Sequence, residues 1–160
     1  MRLMGSPVPA PRFPVLAALV MFLVCLIAAL GEELGWSGYV TDPMQERWNA
    51  LRASILLGLV WALWHIVPLM QAHRSPAWIA WQCLCLTAER ALFVWLYNNT
   101  GKSVFATAVS HATANVSWLL FPINGSFYDP RVTGLIIAFA AAIVTVVWGP
   151  RTLARFNRVN

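Results

Sequence analysis

The strongest constraint in this sequence is a succession of apolar runs, each close to or above the length that crosses a bilayer. They lie at about 14–40, 51–70, 77–97, 103–121 and 132–149. A helix needs roughly 20 apolar residues to span the hydrocarbon, and a main chain inside it must satisfy its own hydrogen bonds. The breaks "TDPMQERWN", "QAHRSP", "NNTGK" and "NGSFYDPR" carry the turn residues and the charges. The expected fold is therefore all-α, a polytopic transmembrane helix bundle of about five spans. Only 11% of the residues are charged, against about 25% in an ordinary soluble domain. The nine tryptophans suit interfacial belts and helix contacts. One membrane domain, 14–149, fills the chain between an N-terminal tail (1–13) and a basic C-terminal tail (150–160). The tail ends in "PVPAPRFP", whose prolines do not belong in a helix interior.

The formal net charge of +5 does not point to nucleic acid. The cations are scattered over loops and the C-terminal tail, with no basic stripe interleaved with aromatics, and so suit anionic lipid headgroups better. With five spans the termini fall on opposite sides. Arg2, Arg12, Arg74 and Arg131 then lie on one side, and Arg47, Arg52, Lys102, Arg151, Arg155 and Arg158 on the other. The side richer in cations is the cytoplasmic one, which puts the C-terminus inside, in a bacterial or archaeal plasma membrane. A signal peptide ending near "AALG" is the weaker account of the N-terminus, because "GEELGWSGY" continues as helix. Cys25, Cys83 and Cys85 sit in apolar runs and read as small buried side chains rather than as a disulfide or zinc set. The sequons at Asn98, Asn115 and Asn124 read as coincidental.

Against this background the stretch "LIAALGEELGWSGYV" is anomalous, because Glu32 and Glu33 close a long apolar run. An acid at membrane depth is costly and marks a functional site whose partners must be found. Three further polar groups stand in apolar segments: His65 in "WALWHIVPL", and His111 with Asn115 in "SHATANVS". The four-residue spacing of His111 and Asn115 puts them on one helix face. Glu32 and Glu33 are about 100° apart around their helix, so one faces the site and the other supports it. A Glu, two His and an Asn can perform hydrolysis in two ways. One Glu with both His could hold a divalent metal such as zinc with one position open for water. Alternatively, a Glu assisted by one His takes a proton from water while the remaining His and the Asn donate to the oxyanion. With the spans placed as above, Glu32 and His65 come out roughly 12 Å apart along the membrane normal.

"EELGWSGY", "WALWH" and "HATAN", in that order, resemble the three motifs of the CPBP intramembrane proteases. That family holds the Rce1-type CAAX prenyl proteases and the bacteriocin-processing or self-immunity (Abi) proteins. The resemblance covers roughly residues 28–125. It implies an endopeptidase that cleaves a membrane-associated or CAAX-like protein or peptide, with Glu32 and His65 activating water and His111 and Asn115 stabilising the oxyanion. Glu33 would support the site, and a divalent metal on the same side chains is the other mechanism ascribed to the family.

Two features depart from the family pattern. Its Glu-Glu-x-x-x-Arg motif ends here in Ser37, and Ser can neither neutralise a carboxylate nor make a bidentate contact. Arg90 could supply the missing charge; the blander reading has Glu89 and Arg90 pairing locally or snorkelling to the interface. Family members also usually carry more spans before the acids, which implies a shortened member, a truncated open reading frame, or a unit completed as a homo-oligomer. The competing functions are a catalytically impaired relative that binds a peptide or confers bacteriocin immunity, and a proton pathway through Glu32, His65 and His111.

Overall fold

The computed structural model describes residues 15–120 and 128–155. The N-terminal tail with Arg2 and Arg12, the first half of the "NGSFYDPR" break with its Asn124 sequon, and Arg158 lie outside the described residues. Helix α1 (Val15–Glu33) runs through a π-helical stretch (Leu34–Val40) into α2 (Thr41–Trp48). Then come α3 (Ala50–Gln71), α4 (Pro76–Asn99), α5 (Val104–Leu119) and α6 (Pro130–Trp148). The described residues contain no strand.

Helix starts follow local chemistry. Asn49, Ser75, Ser103 and Asp129 each accept a hydrogen bond from a main-chain N–H in the first turn of α3, α4, α5 and α6. Pro76 and Pro130 stand just inside two of these starts, where no N–H is needed. The Arg131 guanidinium beside Asp129 holds the Asp129 carboxyl below its ordinary range.

The expected break over 41–49 is mostly helix. The rod Leu16–Trp48 is continuous over 33 residues, and the chain turns at Asn49 (φ 118°). The π stretch has already shifted the hydrogen-bond ladder, so Pro43 falls in the first turn after it, where its missing N–H is tolerated. Four described helices are long and apolar enough to cross a membrane: this rod, α3, α4 and α6. Helix α5 has sixteen residues, about 24 Å of rise.

Helix α4 is central, packing against α3, α5 and α6, while α1 packs against α5. Without a hydrophobic drive between helices in lipid, close contact depends on small residues. Cys25 and Ala29 of α1 meet Ala108 and Ala112 of α5 in one buried seam. Gly58 lets α3 touch α4 so closely that a Cβ there would lie 2.8 Å from the Thr87 Cα. The outer faces of α1 and α6 expose large apolar residues such as Ile27, Leu23, Phe139 and Val146 to lipid.

One end of the bundle is tied by polar contacts. Lys102 pairs with Asp42 at 2.7 Å, and Gln45 bonds Asn98, fixing α2 to the end of α4. The chain after α6 returns to this end. The carbonyls of Pro150 and Arg151 accept from Leu51 and Ala50, Leu153 is fully buried, and the Asn98 and Asn99 amides bond the Thr152 and Leu153 carbonyls. The Asn98 sequon is therefore engaged inside the fold. Cys25 and Cys85 are buried, Cys83 is half-buried, and all three are free.

A Gly58→Ala change should cost about 1–3 kcal/mol, because the added methyl meets main chain rather than a movable side chain. Reversible unfolding in mixed micelles measures it; wild-type stability would mean that α3 and α4 part without cost.

Candidate functional site

The site grows from the junction of α1 and the π stretch. The N–H of Thr41 reaches back to the carbonyl of Trp36, five residues earlier, and its hydroxyl bonds the same oxygen at 2.7 Å. Such wide turns recur at functional sites. Glu33 is the last residue before the turn and Ser37 lies within it; both are buried, Glu33 completely.

Four contacts satisfy the Glu33 carboxylate. Arg90 Nη1 lies 2.9 Å from both oxygens, His111 Nδ1 is 3.1 Å from Oε1, and the Ser37 hydroxyl donates to Oε2. Arg90 is itself fully buried, and its guanidinium stacks over Trp61 at 4.4 Å and Phe93 at 5.2 Å. Breaking a buried ion pair by removing one partner typically costs about 3–5 kcal/mol, since the other charge is left uncompensated. The reading of Arg90 as a snorkelling cation is overturned. It lies nine residues, about 14 Å, from the nearer end of α4 and pairs with α1 instead.

Glu32 has a different partner. The Trp61 indole N–H donates to Glu32 Oε2 at 2.9 Å, and Glu32 stays half-buried. The expected offset of roughly 12 Å between Glu32 and His65 is therefore reduced, because Glu32 meets α3 one turn short of His65, about 5.4 Å of rise. His65 Nδ1 lies 2.8 Å from the Trp61 carbonyl. A carbonyl only accepts, so Nδ1 carries the hydrogen and Nε2 is left free. The Trp61 ring packs edge-on against His65 at 5.0 Å and against His111 at 5.2 Å. Trp61 thus touches or braces nearly every group of the site.

A cavity of about 450 Å³ lies beside this cluster. Its inner wall includes Trp61, His65, Glu89 and Asn115. Trp78, Trp118 and Tyr128 stand toward the bundle end where α3 and α5 finish and α4 and α6 begin, and Tyr128 packs between the two indoles at 6.1 and 6.4 Å. Of the residues singled out from the sequence, His65 and Asn115 line the cavity. Glu32 stands behind Trp61, and Glu33 with His111 forms the buried ion-pair centre. Among the described residues no three His, Cys, Asp or Glu side chains are grouped as a metal site. Glu32, His65 and His111 do not converge as a ligand set among the described residues.

Sequence reasoning undervalued two residues. Trp61 entered only as the aromatic one turn before His65, yet its indole N–H holds Glu32. Glu89, which the blander reading pairs locally with Arg90 or lets snorkel, instead lines the cavity; an acid inside an apolar helix is the signal available in the sequence.

Comparison with known proteins identifies the family to which this fold belongs. A family profile described as "Type II CAAX prenyl endopeptidase Rce1-like" matches residues 14–117. A protein named "CAAX prenyl protease 2" from Methanococcus maripaludis is 32% identical over 136 residues, covering 78% of this chain and 48% of that relative. The chain thus spans about half the length of the curated relative it matches. The matched segment contains Glu32, Glu33, His65, Arg90, His111 and Asn115. The protein is an integral membrane helix bundle, and it belongs to the Rce1-like family of type II CAAX prenyl endopeptidases.

Proposed function

We propose that the chain is an intramembrane endopeptidase that hydrolyses a peptide bond of a membrane-associated or CAAX-like protein or peptide. The observation that carries this reading is the gathering around Trp61 of polar groups from four separated stretches beside a cavity of about 450 Å³. These are Glu32 and Glu33, His65, Arg90, and His111 with Asn115.

Each group has a role that its contacts support. Glu32 Oε2 accepts from Trp61, which leaves Oε1 as the base that removes a proton from water. The free Nε2 of His65 accepts the second hydrogen of that water and aligns its lone pair. Oxygen attacks the carbonyl carbon, and the resulting oxyanion receives hydrogen bonds from the Asn115 amide and from Nε2–H of doubly protonated His111. Glu33 Oε1 stands 3.1 Å from His111 Nδ1, accepts its N–H and orients the ring. As the C–N bond breaks, the proton held by Glu32 passes to the departing amine. The cavity holds the substrate segment adjoining the scissile bond, with its apolar and aromatic wall excluding bulk water.

The direct test compares new protein N-termini in cells expressing wild type or Glu32→Gln at matched levels. Products unique to wild type are expected and would name the substrate and its bond. Identical N-termini, with Glu32→Gln still binding the same peptides, would instead favour the peptide-binding or immunity reading. A second expectation follows from the scattered donor set: turnover survives exhaustive chelation. Loss on chelation, restored by added zinc, would reinstate Glu32, His65 and His111 as ligands.

A further inference from the structure

We infer that positions 37 and 90 are two seats for one guanidinium, and that Arg90 occupies the seat here as the positioning residue of the hydrolytic site. The inference rests on the proposed endopeptidase reading, but its structural part stands apart from it. Ser37, from the turn after α1, and Arg90, from the middle of α4, both donate to Oε2 of Glu33. Their side chains therefore meet at one buried oxygen although 53 residues separate them. An arginine at 37, one turn beyond Glu33, would aim its head at that same carboxylate. Removal of the Arg90 side chain would vacate the volume into which it would extend.

Three observations indicate that Arg90 acts on the site rather than only on packing. Its Nε and Nη2 are buried without a hydrogen-bond partner, an arrangement that costs stability. Its one engaged nitrogen fixes Glu33, and Glu33 holds the ring of His111 through Nδ1. Its flat face lies on Trp61, whose indole holds Glu32. One cation thus sets both carboxylates, by a direct ion pair for Glu33 and by a stacked indole for Glu32. Gly58 belongs to the same device, since a Cβ there would come within 3.2 Å of the Arg90 Cβ and push α4 away.

The test compares wild type, Arg90→Leu, Ser37→Arg and the Ser37→Arg/Arg90→Leu pair, assayed on the peptide that the N-terminus comparison identifies. Arg90→Leu should lose on the order of 100-fold in kcat, the usual effect of a misplacement near 1 Å, with KM little changed. The paired variant should regain most of that loss. Ser37→Arg alone should be worse than the pair, since two cations then compete for one carboxylate. A folded paired variant no more active than Arg90→Leu, or an Arg90→Leu protein with wild-type kcat, would overturn the inference. A second readout needs no turnover: the Nδ1–H resonance of His111 in histidine-labelled protein in micelles. It should vanish in Arg90→Leu, or in Arg90→Gln if the leucine variant does not fold, and return in the paired variant. Should wild type cleave nothing, the endopeptidase reading fails alone, and this resonance still decides whether the two seats are equivalent.

Discussion

Everything near the centre of this bundle depends on one buried carboxylate. Glu33 lies within the low-dielectric part of the fold, where an unpaired charge is prohibitive. Its four contacts draw α1, α4 and α5 to one point through Arg90, His111 and Ser37. The apolar seams could slide or rotate with small penalties, whereas an ion pair in hydrocarbon has a single satisfactory geometry. Glu33 therefore fixes the relative depth and rotation of the helices, and the cavity wall inherits that alignment.

The polar cluster uses a division of labour between adjacent acids. The buried Glu33 is fully committed to hydrogen bonds, while half-buried Glu32 keeps one oxygen unassigned behind the Trp61 ring. In the proposed reaction, reactivity belongs with the less satisfied carboxylate, and alignment belongs with the other. Trp61 connects them as cation–π surface, hydrogen-bond donor and edge-on support for both histidines.

Much of this was legible from residue types alone. Apolar run lengths gave the all-α membrane bundle, with helix limits within two residues of expectation for α3 to α6. Glu32, Glu33, His65, His111 and Asn115 stood out because polar groups at that depth are expensive. Residue types alone could not say which of Glu32 and Glu33 turns inward, because the adjacent acids close the same apolar run about 100° apart. The π stretch after them resets the phase of the helix that carries Ser37, where a periodicity argument assumes a constant pitch. The same stretch carried the helix through Pro43, where a break was expected. The Arg90 contact depends on the close approach of α3 and α4 at Gly58, a tertiary fact that a single glycine does not announce.

The shortness of α5 has a consequence for the supply of water. Its sixteen residues rise about 24 Å, whereas the hydrocarbon core is about 30 Å thick. This hydrophobic mismatch is relieved when the surrounding lipid thins beside α5. A bilayer thinned to match α5 would bring its headgroup plane inward by as much as about 6 Å along the helix that carries His111 and Asn115. The proposed hydrolysis needs water brought through an oil layer, and a helix this short beside the cavity shortens that path without opening a pore through the bundle.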